Sequence, residues 1–430
     1  MSKHIVVIGG GFAGINLVKQ LAGNKEFTVT LVDRNNYNFF PPLLYQIATG
    51  FLEVSNISYP FRRLGRQMEN VNFHLGEFVK VIPSENQVVI STDNLHYDYL
   101  VFAAGVSTNY FGMENVKQNA LPMKTVNDAL ELRNHILAQM ELAAVEKDAG
   151  ERKKLLSIVV AGGGPTGVEI SGMLAEMRKN ILPKDYPEIA GKGYEGHIYL
   201  VDGADAVLKP MSQKSQRDTY EALTNLGVEV KLNMQVKDYC NDVVTFANGE
   251  TIETKTLVWA AGVTGSVFEG IPVECYGRSK RLITDEFNRI KGLENIYAIG
   301  DISIQNHEEK FPAGHPQMAQ IAIQQGRNLA GNFKALLKGN SLKPFAYWDK
   351  GSMAIIGRNK AVADLPNNIH FFGFIAWCMW IFVHLLSLVT NRNKFTTFLN
   401  WLVAYFTKDQ SLRMIIRPGR ELRMKSRKFE

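Results

Sequence analysis

The chain of 430 residues contains the same glycine-rich pattern twice, and this repeat limits its possible folds more than any other feature. The stretch IVVIGGGFAGINLVKQL begins at Ile5, and IVVAGGGPTGVEISGML begins at Ile158. In both, a short apolar run rich in β-branched residues precedes G-x-G-x-x-G, and apolar residues at helical spacing follow it. A buried parallel strand, a tight turn and a helix are therefore predicted twice.

Both turns contain the residue types that a dinucleotide pyrophosphate requires. The first glycine permits the turn, the second lets the backbone approach the phosphates, and the third lets the helix pack on the strand. The next strands, 28–32 and 197–201, end at Asp33 and Asp202, where a carboxylate can accept the ribose hydroxyls. One such turn alone is compatible with simple close packing, but its repetition favours two nucleotide sites. The glycines concerned are Gly9, Gly11 and Gly14, and Gly162, Gly164 and Gly167.

Three further strand ends complete the pattern. The segments YDYLVFAAGVSTN (97–109) and TKTLVWAAGVTGS (254–266) both end an apolar strand in Ala-Ala-Gly-Val. Small residues at such a point let the chain turn beneath a bound nucleotide. The segment LENIYAIGDIS (293–303) ends a strand in Gly300-Asp301, and the Asp301 carboxylate can accept hydrogen bonds from a ribityl or ribose chain.

Charge and cysteine content exclude several classes of protein. The net charge is +6, but residues 391–430 contribute +7 of it and the remainder is near neutral. A nucleic-acid-binding body is therefore not expected. The three cysteines are far apart, which argues against a disulfide framework, a cysteine-pair zinc site or a redox dithiol. No metal site is expected. The chain enters a strand at once, so we expect no signal peptide and a cytosolic body.

The order GGGFAG, AAG, GGGPTGVE, AAG, GD resembles that of the two-dinucleotide-binding-domain flavoproteins, over roughly residues 1–365. The resemblance implies an α/β fold with two Rossmann-like domains of the glutathione-reductase-like type. It places FAD on the first turn and on Asp301, and NAD(P)H on the second turn. The expected FAD domain is discontinuous, 1–115 and 285–365, with the NADH domain inserted at 116–284. Residues 366–430 are expected to be a membrane-associating segment.

The resemblance also implies which residues contact each cofactor. Those expected at FAD are Gly9, Gly11, Phe12, Ala13, Gly14, Asp33, Arg34, Ala104, Gly105, Asp301 and Ala319. Those expected at the nicotinamide nucleotide are Gly162, Gly164, Pro165, Thr166, Gly167, Asp202, Ala261 and Gly262. NADH is favoured over NADPH, because Asp202 suits a 2′-hydroxyl and no arginine follows it to bind a 2′-phosphate.

Reducing equivalents that reach a flavin need an acceptor, and the cysteine content narrows the choice. Disulfide reductases and sulfide:quinone oxidoreductases use cysteines near the flavin, and no suitable pair is present in the sequence. The acceptor is therefore expected to be a quinone, oxygen or a small redox protein.

The segment HPQMAQIAIQQGRNLAGNF (315–333) bears on the acceptor. Gln320 and Gln324 lie four residues apart on one helix face. The small side chains of Ala319 and Ala322 leave space beside them for an acceptor. The two amides can bind a carbonyl-bearing acceptor, although glutamines on a helix are often simply solvated. The motif A-Q-x-A-x-Q-Q-G resembles the quinone-site motif of type II NADH:quinone oxidoreductases. The segments YWDKGSMAIIGRNKAV (347–362) and NFFPPLLYQIATG (38–50) also resemble that family.

This resemblance implies a non-proton-pumping NADH:quinone oxidoreductase, active as a homodimer on the membrane. The catalytic residues are expected to be Glu169 between the cofactors, Lys350 near the flavin, and Gln320 and Gln324 at the quinone. His315 is expected to be structural. Two other hypotheses stay open: a reductase of a soluble redox partner or oxygen, and a flavin-bearing membrane or signalling protein.

The C-terminal segment has two apolar stretches. IHFFGFIAWCMWIFVHLLSLV (369–389) is long enough to span a bilayer, but one crossing would place the basic tail outside the cytosol. KFTTFLNWLVAYF (394–406) has an apolar stripe at helical spacing, and Trp377 and Trp380 upstream of it are expected to lie at the membrane interface. We therefore expect both to lie in the cytoplasmic face of the membrane, with the basic tail on anionic lipid. Burial in a dimer interface is the alternative. The stripe is Phe395, Phe398, Leu399, Leu402, Tyr405 and Phe406.

Overall fold

Two parallel five-stranded sheets form the centre of the protein in a computed structural model that describes residues 2–66, 68–190, 196–409 and 412–416. The strands of the first sheet, in spatial order, are Ile296–Ala298, Tyr99–Phe102, Lys3–Ile8, Phe27–Asp33 and Val71–Leu75. Those of the second are Leu121–Pro122, Thr256–Trp259, Ile158–Ala161, Ile198–Val201 and Val228–Lys231. Each glycine turn follows the middle strand of its sheet.

Helices cover one face of each parallel sheet, and a three-stranded antiparallel sheet packs on the other face. Because of this cover, the middle strands are buried on both sides, which explains why their sequences are almost continuously apolar. The helices are Phe12–Leu21, Leu44–Ala48, Val54–Ile57, Phe61–Gly65, Glu114–Asn119, Val126–Val145, Ala149–Leu156, Pro165–Asn180, Leu182–Asp185, Pro187–Ala190, Gln213–Asn225, Ala319–Leu337, Phe374–Ser387 and Asn391–Thr407.

Smaller sheets extend each unit, and all are antiparallel except the parallel pair Leu282–Ile283 with Ser303–Ile304. One three-stranded sheet belongs to each parallel sheet, a third lies near the C-terminus, and three strand pairs join loops. The three-stranded sheets are Phe78–Ile82, Gln87–Ile90 and Asp93–His96; Val236–Cys240, Val243–Phe246 and Thr251–Glu253; and Ser352–Gly357, Lys360–Leu365 and Ile369–Phe372. The pairs are Tyr37–Phe39 with Ser58–Pro60, Ser107–Thr108 with Val263–Thr264, and Leu282–Ile283 with Ser303–Ile304.

The apolar run 369–389 is divided between two elements rather than forming one helix. Ile369–Phe372 is a strand, Gly373 turns the chain at φ +74°, and Phe374–Ser387 is the helix. The expectation that Trp380 lies at a membrane interface is wrong, because its side chain is 1% exposed and packs in the core. Among the described residues, no helix combines the length and apolarity needed to cross a bilayer.

The last helix, Asn391–Thr407, carries the predicted apolar stripe on its outer side. Phe395, Phe398, Leu399, Leu402 and Phe406 are all at least 40% exposed, and Tyr405 is partly buried. The opposite side of this helix docks on the body through Asn393, Thr397 and Trp401, which are buried. The part of the predicted basic tail from Arg417 onward lies outside the described residues.

Candidate active site

The two glycine turns have the same backbone conformation, and both require glycine at the first position. Gly9 has φ +105° and Gly162 has φ +116°, in the region that side chains rarely adopt. A Cβ on Gly9 would lie 2.4 Å from the Ala103 carbonyl oxygen, and one on Gly162 would lie 2.5 Å from that of Ala260. Each turn therefore lies directly against the Ala-Ala-Gly end of the neighbouring strand.

The other glycines of the motif divide into a packed position and an open one. A Cβ on Gly14 would lie 2.0 Å from the Gly9 oxygen, and one on Gly167 would lie 1.7 Å from the Gly162 oxygen. A Cβ on Gly11 would meet no atom within 4 Å, and the same is true of Gly164. Space beside the second glycine, at the start of a helix, is what a dinucleotide pyrophosphate needs, so both turns fit that group.

The acidic residues at the next strand ends hold the turns in the same way. The Asp33 carboxylate accepts hydrogen bonds from the Gly10 N–H at 2.7 Å and the Asn35 N–H at 2.7 Å. The Asp202 carboxylate likewise accepts from the N–H groups of Gly163 and Ala204. Burial raises the pKa of Asp33, while the hydrogen bonds from Asn35 and Gly10 oppose this change. Each carboxylate therefore sits beside its glycine turn, as a ribose partner should.

The residues after the two Ala-Ala-Gly turns pair with each other and join the two units. Ser107 pairs with Thr264 and Thr108 with Val263 in an antiparallel ribbon. Ser107 and Thr264 occupy equivalent positions in the repeat, so the ribbon has local twofold symmetry. Ala104 and Ala261, at the centre of the turns, are exposed. The two predicted nucleotide sites therefore approach each other at this ribbon.

Asp301 lies beside the first glycine turn. A Cβ on its neighbour Gly300 would be 3.0 Å from the Ala13 Cβ, so this loop packs on the first turn of the helix Phe12–Leu21. Burial raises the pKa of Asp301, whereas the charges of Lys124 and Arg281 oppose this. No described residue donates a hydrogen bond to its carboxylate, so both oxygens are available to FAD hydroxyls. The residues of the first unit thus fit FAD.

A buried glutamine holds this loop in place and was missed by the sequence reasoning. The Gln325 Oε1 accepts hydrogen bonds from the Gly300 N–H at 2.7 Å and from the Ser303 hydroxyl at 3.4 Å. Its side chain is 1% exposed. The signal was present, because Gln325 is the second glutamine of the QQG motif, next to Gln324.

Glu169 is buried at the start of the second glycine-turn helix. A Cβ on Gly172, one turn later, would lie 1.7 Å from the Ile356 oxygen, so the helix lies directly on the strand Ser352–Gly357. The Glu169 side chain is 7% exposed, and the Ile355 N–H approaches its carboxylate at 3.5 Å. Burial raises the pKa of Glu169 to about 8. This carboxyl group can therefore hold or release a proton near neutral pH.

Behind Glu169 lies a buried polar network that the sequence reasoning did not find. The Gln46 amide donates to the Tyr45 hydroxyl at 2.8 Å and accepts from the Trp401 indole N–H at 2.7 Å. Burial, and then the charge of Glu169, raise the pKa of Tyr45 well above its ordinary value. His384 stacks on Trp380 at 3.9 Å between ring centroids, and burial lowers its pKa to about 4. The C-terminal helices thus close one side of the site.

Gln320 and Gln324 hold a segment of backbone through both ends of their amides. Gln320 donates to the Gly351 oxygen at 2.9 Å and accepts from the Lys350 N–H at 3.3 Å. Gln324 donates to the Trp348 oxygen at 2.9 Å and accepts from the Trp348 N–H at 3.0 Å. Direct contact of these amides with a quinone stays a prediction. The Lys350 side chain is exposed, with its Nζ 5.1 Å from the Trp348 ring centroid.

The other predicted residues lie around the same turns. Phe12 begins the first helix and packs edge-on against Phe40 at 5.6 Å, and Ala13 contacts Gly300. Arg34 is exposed beside Asp33, and Ala319 begins the helix Ala319–Leu337. Gly105, Pro165, Thr166 and Gly262 lie in the turns described above. Their roles at the cofactors stay predictions. His315 is buried and bonds Glu308 at 2.8 Å, which agrees with a structural role.

Comparison with known proteins gives the family. The family model described as pyridine nucleotide-disulphide oxidoreductase matches residues 3–326, and the one described as NDH2 C-terminal domain matches 349–410. The chain is 37% identical over 420 residues to the type II NADH:quinone oxidoreductase NdhA of Mycobacterium tuberculosis, covering 94% of this chain and 87% of that protein. The chain belongs to the type II NADH:quinone oxidoreductases.

Other members of this family are similar over most of their length. The Staphylococcus aureus type II NADH:quinone oxidoreductase is 31% identical over 380 residues, covering 84% of this chain and 89% of that one. The structure of NDH2 from Plasmodium falciparum in complex with NADH has a TM-score of 0.87 at 23% identity, covering 97% of this chain and 100% of that one. The predicted family, fold class and enzyme class, a flavin-dependent oxidoreductase that uses FAD and NADH, are thereby confirmed.

Proposed function

We propose that this chain transfers hydride equivalents from NADH on the second glycine turn to a membrane quinone, through FAD on the first turn. The observation that carries the proposal is the ribbon Ser107–Thr108 with Val263–Thr264, which brings the two turns together. FAD, held by the first glycine turn and Asp301, would supply a two-electron carrier between NADH and the quinone. The net reaction converts NADH, a proton and a quinone to NAD⁺ and a quinol.

The chain's own residues serve chiefly to position the reactants. The open sides of Gly11 and Gly164 admit the two pyrophosphates, and Asp33 and Asp202 accept ribose hydroxyls. The Asp301 carboxylate is available to hydroxyls of the flavin side. Rigid placement of two reactants is worth several kcal/mol of the barrier, because their freedom is lost before the reaction begins.

Glu169 is proposed to exchange the proton that quinone reduction consumes. It lies two residues after the third glycine of the NADH turn, and its pKa of about 8 keeps it largely protonated at neutral pH. Lys350 is proposed to act at the flavin side, where the amides of Gln320 and Gln324 fix the backbone of residues 348–351.

The reaction is tested by anaerobic rapid mixing. The purified protein should be yellow, NADH should bleach it rapidly, and a short-chain quinone should restore the colour. Restoration by oxygen or by a soluble redox protein, but not by quinone, would favour the alternative reductase. Slow bleaching by NADH would favour the flavin-bearing signalling protein.

The protein is further proposed to attach to the cytoplasmic face of the cell membrane as a homodimer. Support comes from the C-terminal helices, where Phe374, Ile375, Phe382 and Leu386 of one helix are each more than half exposed. Together with the stripe on Asn391–Thr407, they form an outward apolar surface of the kind that marks membrane or protein interaction. The membrane quinone would reach the site from this side.

Attachment is tested with the full chain and the variant Phe395→Ser, Leu399→Ser, Phe406→Ser. We expect the wild type to float with lipid vesicles and the variant to stay soluble with unchanged NADH-dependent bleaching. Truncation before residue 369 is less suitable, because it would remove Trp380 and Trp401 from the core. A variant that changes the oligomeric state but still floats would assign these residues to the dimer interface instead.

A further inference from the structure

Phe111 is an exposed aromatic residue with a backbone conformation that bulky side chains rarely adopt. It has φ +52°, and 60% of its side chain is exposed. Its N–H donates a hydrogen bond to the Asn109 Oδ1 at 2.9 Å, which holds this conformation. The left-handed region costs free energy for such a residue, and burial of the ring does not offset that cost here. Outliers of this kind cluster at functional sites, which makes the surroundings of the ring informative.

The repeat contains an equivalent phenylalanine that is placed differently. Phe111 follows Gly105 by six residues, and Phe268 follows Gly262 by six. The Phe268 side chain is 5% exposed and packs on Phe102 of the first unit, with the ring centroids 4.5 Å apart. Phe268 therefore stabilises the junction of the two units through burial, whereas the exposed Phe111 ring contributes much less to it.

The Phe111 ring lies on the Ala-Ala-Gly turn of the second unit, although it belongs to the first. A Cβ on Gly262 would lie 2.7 Å from the tip of this ring. The Asn109 N–H donates to the Gly262 oxygen at 3.0 Å, and the Asn109 oxygen accepts from the Trp259 indole N–H at 2.8 Å. Tyr110 supplies the stacked contact with Trp259, at 6.1 Å between ring centroids, and is partly buried. The ring of Phe111 is thus fixed in place but left uncovered.

The order of strands in the second sheet indicates which half of NADH would meet this ring. Asp202 follows the strand on one side of Ile158–Ala161, and Gly262 follows the strand on its other side. With the adenosine ribose at Asp202 and the pyrophosphate on the glycine turn, the nicotinamide riboside extends toward the end of Thr256–Trp259. The ribbon that joins the two units lies on this same side. Phe111 therefore lies on the nicotinamide side of the proposed site.

We propose that Phe111 is a positioning residue whose exposed ring packs against the nicotinamide riboside of NADH and holds it toward the flavin. An aromatic ring suits this task, because it offers a flat apolar surface with few rotatable bonds. The fixed backbone places the ring before NADH binds, so less freedom is lost on binding. The inference rests on the proposed placement of NADH on the second glycine turn.

The test compares the binding of NAD⁺ with that of ADP, which contains the adenosine and pyrophosphate but lacks the nicotinamide riboside. NAD⁺ replaces NADH because NADH would reduce the flavin. Both ligands are titrated by calorimetry into the FAD-bound full chain and its variants Phe111→Ala and Phe111→Gly. Glycine adopts a positive φ readily, so Phe111→Gly removes the ring and the backbone strain together. The control, Tyr220→Ala, removes a side chain that is 41% exposed on the helix Gln213–Asn225 of the same unit.

Both Phe111 variants should lose about tenfold in affinity for NAD⁺, as expected for one strong aromatic contact, and less than about twofold for ADP. At saturating NADH, flavin reduction should slow about tenfold, because the nicotinamide is held less well. Reoxidation by a short-chain quinone should be unchanged. Thermal unfolding should show Phe111→Gly to be more stable than Phe111→Ala, although the two variants bind NAD⁺ equally. Tyr220→Ala should bind both ligands like the wild type.

Three results would overturn this role of Phe111. Equal losses for NAD⁺ and ADP would show that the ring only supports the turn that holds the pyrophosphate. Weak NAD⁺ binding by Phe111→Ala with normal binding by Phe111→Gly would assign the effect to the backbone, and unchanged NAD⁺ binding by both would remove the contact. Failure of the wild type to bind either NAD⁺ or ADP would instead contradict the proposed nucleotide site itself.

Discussion

The helix after the first glycine turn and the helix after the second are covered by different parts of the chain. Phe12–Leu21 packs against the helix Ala319–Leu337 at Gly326. Pro165–Asn180 packs against the strand Ser352–Gly357 at Gly172. The turns themselves match closely, including the hydrogen bonds that their backbone N–H groups donate to the following carboxylates. The nucleotide-binding scaffold was thus repeated, while the surface that faces each helix was not.

The consequence is visible at one equivalent pair of positions. Asn16 and Glu169 both lie two residues after the third glycine of their motif. Asn16 is partly exposed and bonds the Phe12 oxygen of its own helix at 2.9 Å. Glu169 is buried beneath the strand, and burial raises its pKa to about 8. The segment that packs on each helix therefore determines whether this position is a partly exposed asparagine or a buried glutamate that can hold a proton.

The largest effect is expected from substitutions at the third glycine of each turn. Gly14→Ala and Gly167→Ala each place a Cβ within 2.0 Å of a backbone oxygen. Such overpacking costs about 3 kcal/mol or more, equivalent to over a hundredfold in nucleotide affinity. Gly14→Ala should yield colourless protein, whereas Gly167→Ala should stay yellow but bind NADH poorly. Absorbance of the bound flavin and NADH titration measure the two effects.

The control for these substitutions is Gly331→Ala, at an exposed helical position where a Cβ meets no atom within 4 Å. It should leave both sites intact and stabilise the helix by up to about 1 kcal/mol. If Gly167→Ala removed the flavin and Gly14→Ala did not, the assignment of the two turns would be reversed.

The next largest effect is expected at Glu169, where the two helices differ. Glu169→Gln keeps the shape of the side chain but removes its exchangeable proton. Turnover with quinone should fall by about a hundredfold, the usual contribution of a positioned acid or base. The wild-type rate should change with pH around the pKa of about 8, and the variant rate should not. Steady-state kinetics across this pH range provide the measurement.

Glu176→Gln is the matched control, because Glu176 lies two turns further along the same helix and accepts the Arg358 N–H. Its turnover should fall by much less than that of Glu169→Gln. Equal losses, with parallel pH profiles, would show that both glutamates only hold the helix on its strand.

A smaller effect is expected from Gln320→Ala in the helix that covers the first unit. It removes two hydrogen bonds that hold residues 350 and 351, each worth about 1 kcal/mol. Quinone reduction should slow about tenfold, with flavin reduction by NADH nearly unchanged, as stopped-flow absorbance would show. Gln324→Ala should have a similar effect if both amides only hold backbone. An effect confined to Gln320→Ala would indicate direct contact with the quinone.

The sequence predicted the repeated scaffold well, because the requirements of the turns are local. Each requirement is met by a particular residue type within a short segment. Gly9 provides the positive φ, Gly14 allows close packing of the helix, and Asp33 provides the carboxylate at the next strand end. Glu169 was also found, but only through its place after the second turn and the family resemblance.

What covers each turn could not be predicted, because it depends on contacts between distant segments. Trp380 was assigned to the membrane interface, since nothing in its own segment shows that it packs near Tyr45. The hydrogen bonds between the Gln320 and Gln324 amides and the backbone of residues 348–351 could not be predicted either. A glutamine on a helix surface has the same sequence pattern whether its amide binds water or the backbone of another segment. Prediction of the site from sequence is therefore limited where a side chain is buried or bonded by a segment that is distant along the chain.

The last prediction concerns stability rather than cofactor binding or turnover, and it tests whether the strand really buries Glu169. Its carboxyl has a pKa of about 8 in the folded protein and an ordinary value of 4.5 when unfolded. Between these values the unfolded chain is ionised while the folded protein stays protonated, so the wild type should lose stability as pH rises. Relative to Glu169→Gln, this loss should be about 1.4 kcal/mol per pH unit from about pH 5 to about pH 8. Chemical unfolding of both proteins measures it, and the buried His384 affects both equally. The exposed Glu221→Gln should track the wild type throughout; if Glu169→Gln did so too, the carboxyl would be solvated and the two glycine-turn helices would not differ as described.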